Sequence, residues 1–397
     1  MEVTIDRFND TGEGIGIIDG QVVFVPKTVP GDIVKIKNIN NYKNYMRADE
    51  FEIVKTSNIR EKAKCPYFDF CGGCQIMNIN YQEQLNYKKN KVINIFKKFG
   101  NIDINPKIMS DKQYSYRNKI IVEVRNGIIS LNKYHSHDTV NIDKCLLVSD
   151  NINDLIKLIS KRLDLTSVKK IMIRESTNND IMIVFYGNVD IDKTKNILKD
   201  KVESGYINDK LIIGNKYIKT KLKEYTYTLS PESFFQVNYN ITIKLYDKIL
   251  ECLNNGDNVM DLYCGTGSIG IYISDKSKDI LGVEIVKDAV ENAKLNKKIN
   301  KIDNISFKCG DVEKIISKND NYDTVIVDPP RAGLSKKTRD ILLDIGSNKI
   351  IYVSCNPMTL IRDIKYLDNK YDFKEITLFD MFPNTYHVES LMVLERK

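Results

Sequence analysis

Short apolar runs rich in β-branched residues alternate with polar, helix-like segments over the last third of the chain. The runs at residues 323–327 and 350–354 each end in a proline-containing loop, which is the pattern of a strand followed by a loop. The first run places Asp328 at its end and the second places Cys355. Ligands bind along the carboxyl ends of the strands in open α/β sheets, so we expect both side chains at one site. Taken singly, a turn-forming acid and a buried thiol explain the two residues equally well.

The hydrophobic pattern changes twice along the chain and predicts an α/β multidomain protein. An OB-type β-barrel is predicted over residues 1–57, from five short strand-like runs at 3–8, 14–19, 21–26, 33–39 and 46–54. Strand-like runs and one clear helix at 152–163 predict a central α+β domain over residues 58–235. The strand and helix alternation that follows predicts a Rossmann-like domain over residues 236–397.

Residues 81–99 carry an amphipathic pattern that predicts a helix able to pack on the C-terminal domain. Its predicted buried face consists of Leu85, Val92, Phe96 and Phe99. Its predicted outward face carries the lysines Lys88, Lys89, Lys91, Lys97 and Lys98. A solvated face and a phosphate-contacting stripe are both open interpretations of these cations.

A glycine-rich turn follows an apolar run at residues 259–270, Val-Met-Asp-Leu-Tyr-Cys-Gly-Thr-Gly-Ser-Ile-Gly. Glycines such as Gly265 let a ligand approach the backbone, and a nicotinamide dinucleotide is one candidate ligand. An acid four residues before the first glycine, Asp261, instead resembles motif I of S-adenosylmethionine-dependent methyltransferases. Glu284 ends the next run, where a carboxylate can accept both ribose hydroxyls of an adenosine moiety. Asp311 follows the third run and is expected near the adenine edge.

The composition favours a cytoplasmic protein that can bind nucleic acid. Of the 397 residues 42% are hydrophobic, yet no run approaches the roughly 20 apolar residues of a membrane helix. The first residues resemble a strand rather than a signal peptide. The formal net charge of +7 permits nucleic-acid binding. Only three histidines are present, His135, His137 and His387, so a mechanism built on a histidine base is poorly supplied.

Three of the eight cysteines, Cys65, Cys71 and Cys74, fall within ten residues. In a cytosolic chain this indicates metal binding or catalysis rather than disulfides. The two-residue gap between the last two lets their thiolates converge on one metal centre, and Cys145 is the long-range fourth candidate. Four thiolates suit either tetrahedral zinc or a 4Fe–4S cluster, and spacing alone does not distinguish them.

The loop after Asp328 indicates the kind of atom that is methylated. Enzymes acting on an exocyclic amine typically carry an aromatic residue after Asp/Asn-Pro-Pro, whereas this chain has Arg331. A thiol at Cys355 suits a carbon target, because thiolate addition to C6 of a pyrimidine makes C5 able to attack a methyl group. Nearby N–H donors and the guanidinium could lower the pKa of that thiol. Removal of the C5 proton needs a base, for which Glu389 is the first candidate and His387 the second.

Motif by motif, the chain resembles the RNA uridine C5-methyltransferases of the RumA/TrmA type over essentially its full length. The first 57 residues resemble a TRAM domain, on the strength of Gly-Glu-Gly-Ile-Gly at 12–16, Val-Phe-Val-Pro at 23–26 and Val-Pro-Gly-Asp at 29–32. The other matching stretches are the four cysteines, Ser-Phe-Phe-Gln-Val-Asn at 233–238, and residues 261–267, 327–331, 354–357 and 387–389.

This resemblance implies a role for each matching residue. Cys355 is then the nucleophile and Glu389 the general base. The S-adenosylmethionine contacts are expected from Gln236, Tyr263, Gly265, Glu284, Asp311 and Asp328. Asp328 is also expected to orient the uracil edge. A 4Fe–4S cluster, most simply structural and RNA-organising, is implied on Cys65, Cys71, Cys74 and Cys145.

The resemblance also suggests the partner. Transfer-RNA members generally lack both the TRAM domain and the cluster cysteines, so we expect 23S ribosomal RNA as the substrate, with transfer RNA as the alternative. No membrane partner is expected, and the protein is expected to act as a monomer. Residues 131–138 match the family only loosely, which leaves the RNA contacts there open.

Three other interpretations compete with this one. RNA cytosine C5-methyltransferases usually carry a second cysteine in the loop that here is Asp-Pro-Pro-Arg. A non-catalytic RNA-binding or ribosome assembly factor would not need both Cys355 and Glu389. A radical methyl-transfer enzyme would usually show Cys-x₃-Cys-x₂-Cys and an iron without a protein ligand, and the spacing here differs.

Overall fold

The computed structural model describes residues 1–134, 136–317 and 321–397 of the chain. His135 therefore lies outside the described residues. Within these ranges, no helix combines the length and the apolar character needed to cross a lipid bilayer.

The first 55 residues form a six-stranded sheet with the order β1-β5-β6-β4-β3-β2. Its strands are β1 (Glu2–Thr4), β2 (Arg7–Phe8), β3 (Gly14–Ile18), β4 (Gln21–Val25), β5 (Ile33–Asn41) and β6 (Met46–Lys55). The strand expected over residues 3–8 is thus divided in two. Gly14 is required by close packing, because a Cβ there would collide with the hydroxyl of Thr28.

A buried carboxylate joins this sheet to the segment that follows it. Asp32 is fully buried and accepts hydrogen bonds from the backbone N–H groups of Val29 at 2.8 Å and Ser57 at 2.9 Å. The guanidinium of Arg60 pairs with the same carboxylate at 2.5 Å. A charged group without water is tolerated when its oxygens are hydrogen-bonded and paired in this way.

The helix predicted over residues 81–99 is α1 (Tyr81–Ile95), followed by one π-helical turn, Phe96–Gly100. Lys88 was predicted to face outward and is instead fully buried, paired with the fully buried Asp380. Phe99 was predicted to be buried and is 43% exposed. The π turn changes the angular spacing of side chains, so the apolar face no longer includes that ring.

Strand β7 (Lys107–Met109) belongs to the predicted central domain by sequence, but it pairs with the sheet of the C-terminal part. The central sheet has the order β10-β9-β8-β11-β12-β13-β14. Its strands are β8 (Lys119–Arg125), β9 (Ile128–Asn132), β10 (Thr139–Asn141), β11 (Val168–Glu175), β12 (Ile181–Gly187), β13 (Ser204–Ile207) and β14 (Lys210–Gly214). Two helices accompany it, α2 (Asp150–Arg162) and α3 (Ile191–Leu198). A separate hairpin follows, β15 (Ile218–Leu222) and β16 (Tyr225–Leu229).

An eight-stranded sheet with the order β19-β18-β17-β20-β21-β23-β22-β7 organises the C-terminal part. Its further strands are β17 (Asp257–Leu262), β18 (Ser277–Glu284), β19 (Ile305–Cys309), β20 (Thr324–Val327), β21 (Lys349–Ser354), β22 (Tyr371–Phe379) and β23 (Glu389–Arg396). The helices are α4 (Tyr239–Cys252), α5 (Ser268–Tyr272), α6 (Lys287–Ile299), α7 (Val312–Ile315), α8 (Lys336–Ile345) and α9 (Pro357–Leu367). Strands β17 to β21 run parallel and β23 runs antiparallel to β21, so this part has the expected Rossmann-like methyltransferase fold.

Lys88→Met should destabilise the protein strongly, because Asp380 would stay buried without its cation and would keep, among the described residues, the Tyr81 hydroxyl as its side-chain donor. Removing one partner of a buried pair typically costs about 3–5 kcal/mol. Lys97→Met is the matched control, since that lysine is exposed and pairs with Asp103 at 3.6 Å. An exposed pair contributes less than about 1 kcal/mol. Urea denaturation compares the two variants, and equal midpoints would contradict the expectation.

Candidate active site

A cavity of about 1160 Å³ opens at the carboxyl ends of β17, β18, β20 and β21. Its volume is at the upper end of small-molecule pockets, which leaves room for a ligand and for a second reactant beside it. The C-terminal sheet supplies only part of the wall. Residues from the cysteine-rich segment and the central sheet complete it, namely Gly72, Gly73, Gln75, Arg117, Leu131, Asn132, Lys133 and Tyr134.

The glycine-rich turn after β17 forms one end of this cavity. The N–H of Gly265 donates to Oε2 of Glu284 at 3.1 Å, which holds the turn against the end of β18. A Cβ built on Gly265 would meet no atom within 4 Å, so the space beside this glycine is open to a ligand. Tyr263 lines the cavity with φ +64°, a conformation uncommon for a bulky residue and frequent at functional sites.

A thiol and a carboxyl group face each other at the other end of the cavity. Cys355 follows β21, and Glu389 is the first residue of β23. The antiparallel register pairs Ser354 with Ser390, so Cys355 and Glu389 are the next pair of opposed positions, at the end of β21 and the start of β23. Directly opposed residues in such a ladder have Cα atoms about 5 Å apart. The fold therefore brings the predicted thiol and acid together.

Acidic groups outnumber cations around this thiol. Burial raises the pKa of Asp328 to about 7. Burial, with the charge of Asp328 as a smaller contribution, raises the pKa of Glu389 well above its usual value. Burial and then the negative charge of Glu389 raise the pKa of the Cys355 thiol to about 11, and Arg331 opposes them. A cationic ligand would favour the ionised forms of all three acids.

His387 lies beside Arg331, with its Nδ1 2.8 Å from Nη2 of the guanidinium. The guanidinium can only donate, so the imidazole nitrogen accepts this hydrogen bond. Burial first, and then the charge of Arg331, lower the pKa of His387 to about 3. The imidazole is therefore neutral near pH 7 and is a weak base there.

The structure brings seven of the predicted site residues to the cavity wall: Gln236, Tyr263, Gly265, Glu284, Asp328, Cys355 and Glu389. Asp311 is not part of that wall. Its carboxylate accepts the N–H of Glu313 at 3.0 Å and caps α7. Short polar side chains are preferred at helix N-caps, which accounts for this position locally.

The sequence did not reveal how the segment before Glu389 is held. Asn384 is fully buried with φ +68°, and its N–H donates to Oε1 of Gln84 at 2.9 Å. Its carbonyl accepts the N–H of Gln75 at 3.0 Å, and its Nδ2 donates to the carbonyl of Gln113 at 2.9 Å. Three distant stretches therefore meet at one asparagine. An asparagine tolerates positive φ, but no local pattern marks it as a junction.

The four predicted ligand cysteines lie in one part of the structure. Cys65, Cys74 and Cys145 pack against a small buried cluster that includes Phe68. Burial raises the pKa of the Cys74 thiol, and Cys145 and Cys71 raise it further through their charges. The N–H of Gly73 donates to Sγ of Cys71 at 3.3 Å.

Thiolates are suitable metal ligands, but these four thiols are not positioned around a common metal site. Among residues 1–134, 136–317 and 321–397, no group of three or more histidine, cysteine, aspartate or glutamate side chains is placed to hold a metal ion. The Lys27 ammonium nevertheless donates to the carbonyls of Cys71 and Cys74, and its charge favours the thiolate of Cys74. Four sulfurs, a backbone N–H on one of them and a nearby cation are the environment that tunes thiolate ligands.

Comparison with known proteins covers the whole chain. The family model for tRNA (uracil-5-)-methyltransferase matches residues 80–313 and 307–397. The model for the TRAM domain of tRNA (uracil(54)-C(5))-methyltransferase matches residues 1–59. An uncharacterized RNA methyltransferase of Clostridium acetobutylicum is 34% identical, over 100% of this chain and 96% of the relative. One from Aquifex aeolicus is 31% identical, over 100% of this chain and 99% of the relative.

A solved structure of high similarity covers nearly the complete chain. It is the Pyrococcus abyssi tRNA (uracil-54, C5)-methyltransferase in complex with S-adenosyl-L-homocysteine. The TM-score is 0.82 and the sequence identity is 27%, with 99% of this chain and 100% of that chain covered. The shared fold therefore includes the barrel, the central sheet and the C-terminal sheet.

Iodoacetamide alkylation of Cys355, followed by peptide mass spectrometry, measures the ionisation of its thiol. Because the thiolate is the reacting form and the pKa is about 11, the rate in the ligand-free protein should rise without a plateau up to about pH 10.5. Arg331→Gln should slow alkylation at a given pH, and Glu389→Gln should accelerate it, because the two groups have opposite effects on that pKa. Exposed Cys309 serves as the reagent control in each digest. A plateau near about pH 8.5, the ordinary thiol value, would contradict the burial effect.

Proposed function

The chain belongs to the RNA uracil-5-methyltransferase family, and we propose that it methylates C5 of a specific uridine in 23S ribosomal RNA, with Cys355 as nucleophile and Glu389 as general base. Family membership makes it an S-adenosylmethionine-dependent RNA uracil-5-methyltransferase. The observation that carries the residue assignment is the pairing of a thiol and a buried acid on β21 and β23. That pair lies in the same cavity as the glycine turn and Glu284.

The proposed reaction divides one difficult substitution into two easier steps. The Cys355 thiolate adds to C6 of the uracil, and the electron pair released at C5 forms the new bond to the methyl group. The methyl carbon comes from the sulfonium of S-adenosylmethionine; its S–CH3 bond breaks, the electron pair stays on sulfur, and S-adenosylhomocysteine leaves. Loss of the C5 proton then restores the C5–C6 double bond and expels the thiolate from C6. No electron is gained or lost by the protein in this sequence.

Glu389 is the better of the two candidate bases. Its carboxyl group is buried beside Cys355, so it lies close to the C5 face of a uracil bound to that sulfur. Its raised pKa makes its carboxylate a stronger proton acceptor than an exposed glutamate. His387 has a pKa of about 3 and already accepts a hydrogen bond from Arg331, which makes it a poor acceptor for the proton.

The residues on the cavity wall also suit S-adenosylmethionine. The carboxylate of Glu284 accepts the N–H groups of Gly265 and Val286 and still has lone pairs for ribose hydroxyls. Gln236, Tyr263 and Asp328 complete the proposed contacts, and Asp328 also orients the uracil edge. Asp311 caps α7 through its Oδ1 atom, and its other carboxylate oxygen is proposed to contact the adenine edge.

The choice of 23S ribosomal RNA rests on the TRAM domain together with the four cysteines. Comparison weakens the first argument, because the matching TRAM model is described for a tRNA (uracil(54)-C(5))-methyltransferase. The Pyrococcus abyssi enzyme, which shares this fold from end to end, is likewise named for transfer RNA. A TRAM domain therefore does not exclude a transfer-RNA target. Methylation of a transfer-RNA uridine is the second candidate function.

The chain is proposed to act as a cytoplasmic monomer built from three units, residues 1–57, 58–235 and 236–397. The third unit is not self-contained, because β7 from residues 107–109 pairs with β22 at the edge of its sheet. The Lys88–Asp380 pair also crosses this boundary. We therefore expect the second and third units to fold together.

The function is tested by incubating the protein with labelled S-adenosylmethionine and unmodified 23S ribosomal RNA, in parallel with transfer RNA, followed by nucleoside analysis. The expected product is 5-methyluridine in ribosomal RNA, abolished by Cys355→Ala. An RNA carrying 5-fluorouridine should trap a covalent adduct, because fluorine cannot leave C5 as a proton does. Label in transfer RNA alone would keep the mechanism and overturn the ribosomal target. Label in neither RNA, with RNA binding intact, would favour an assembly factor.

Glu389→Gln should allow addition of the Cys355 thiolate to uracil but block its release from the methylated product. The thiol can still add to C6 and C5 can still be methylated, but removal of the C5 proton loses its base. A covalent protein–RNA complex should therefore accumulate with ordinary uridine, visible as an RNA-dependent mobility shift on a denaturing gel, while product formation falls by about 10²–10⁴-fold. If His387→Gln instead lost product formation to this extent, while Glu389→Gln kept normal turnover, His387 would be the general base.

A 4Fe–4S cluster held by Cys65, Cys71, Cys74 and Cys145 is a further part of the proposal. The thiols would have to close to bonding distance on loading. Metal analysis of protein prepared without oxygen should then find about four iron atoms per chain. Zinc in place of iron would contradict the assignment of a 4Fe–4S cluster. Cys74→Ser should lower the metal content, whereas Cys252→Ser, remote from this set in sequence, should not.

A further inference from the structure

Two exposed tyrosines stack on each other at the tip of the β5–β6 hairpin. Tyr42 is 48% exposed and Tyr45 is 37% exposed. Their ring centroids lie 4.7 Å apart with an interplanar angle of 15°. The N–H of Tyr42 donates to the carbonyl of Tyr45 at 2.9 Å, which closes the turn and fixes the spacing of the two rings. The pair is preformed, so a stacking partner would not have to order it.

A third ring supports the pair from the barrel side. Phe24 of β4 makes an edge contact with Tyr45, with centroids 5.4 Å apart and an interplanar angle of 69°. The buried core of the barrel consists of other residues, Val3, Ile5, Ile18, Val23, Val25, Val34, Met46 and Ala48. The tyrosines are therefore not needed to fill the core. Their exposed ring surface is available for stacking by a partner.

The hairpin tip also carries positive charge. Lys43 is exposed between the two tyrosines, and Arg47 follows two residues after Tyr45. Aromatic rings beside cations form the surface that proteins use for single-stranded RNA, in which unstacked bases lie on the rings and phosphates pair with the cations.

The tip lies close to the cavity. Arg47 pairs with Glu13 at 2.5 Å, and both charges act on the hydroxyl of Tyr134, which lines the cavity wall. Arg47 of β6 is paired with Phe24 of β4. The ring of Phe24 in turn contacts Tyr45, so the Arg47–Glu13 ion pair lies next to the three aromatic rings. Arg47 lies two positions after Tyr45 in the chain, which corresponds to about 7 Å in extended backbone.

We propose that Tyr42 and Tyr45 form a stacking platform for an unpaired base of the substrate RNA, a few nucleotides from the target uridine, while Lys43 pairs with a neighbouring phosphate. The proposal rests on the proposed function for the target uridine. It adds that the barrel reads a second, single-stranded position of the same RNA. Stacking reads the π-face that every base has, so this contact contributes affinity without base specificity.

The test compares Tyr42→Ala/Tyr45→Ala with Tyr42→Phe/Tyr45→Phe, which keeps both rings. Ile17→Ala, at another exposed apolar position of the barrel, is the surface control. Fluorescence anisotropy measures the Kd for a long RNA fragment and for a stem-loop trimmed to the target loop. The alanine variant should bind the long fragment about 5- to 100-fold more weakly, and the other two should bind like the natural protein. With the trimmed stem-loop all four proteins should bind alike.

Methyl transfer to the trimmed stem-loop separates this proposal from the function itself. A natural protein that methylates the stem-loop, with an alanine variant that binds the long fragment unchanged, would overturn the platform and leave the function standing. A natural protein that methylates neither RNA would overturn the function, while the Kd comparison would still decide the platform. Equal weakening of both RNAs in the alanine variant would also overturn the platform, because it would indicate a general change in the barrel. Circular dichroism melting of the variant identifies that case.

Discussion

The buried ion pair between Lys88 and Asp380 is the contact on which the functional cavity depends. Both side chains are fully buried, so each charge is tolerated only because the other neutralises it. The ammonium also donates to the carbonyl of Phe382 at 2.9 Å, and the Tyr81 hydroxyl donates to the carboxylate at 2.7 Å. Helix α1 thereby holds the segment that leads into β23. Since Glu389 begins that strand, its position depends on Lys88 and Tyr81 in helix α1, far earlier in the chain.

The cavity is a composite in which each part of the chain has a distinct physical role. The parallel strands deliver a turn with open backbone and an acid at one end, and a thiol and acid pair at the other. Within the pair, burial raises the pKa of every acid, and the positive charge of Arg331 is the main opposing influence. Burial thus favours the neutral forms of these acids, and a methyl donor that carries positive charge would favour their ionised forms. Residues of the cysteine-rich segment and of the central part of the chain complete the cavity wall. Gln75 and Gln113 from these parts also hydrogen-bond to Asn384.

The positions of strands and helices could be predicted from the sequence where the burial of apolar residues alone determines them. The runs of the C-terminal sheet are buried on both faces and read as continuous apolar stretches, and the helix predicted over 152–163 is observed as α2. The family, the TRAM domain and the Rossmann-like fold were likewise confirmed, because glycines, prolines and paired acids at fixed spacings carry them. Lys88 was predicted wrongly, since a lysine in an amphipathic helix is normally solvated. Strand β7 has only three residues and gains its partner from β22, so its local pattern was too short to indicate a strand.

The reactive groups were already recognisable in the amino-acid sequence: a thiol and an acid at strand ends, a glycine turn followed by an acid, and four cysteines. These signals are local, because residue type and short spacing already constrain what a strand end or a turn can do. Only the tertiary structure decided which of them meet. It placed Cys355 opposite Glu389, kept Asp311 at a helix cap, buried Lys88 against Asp380 and joined three distant stretches at Asn384. Such contacts depend on the register of strands that are far apart in the chain and on buried polar side chains that pair over the same long separations. Neither produces a hydrophobic periodicity that can be recognised in the sequence.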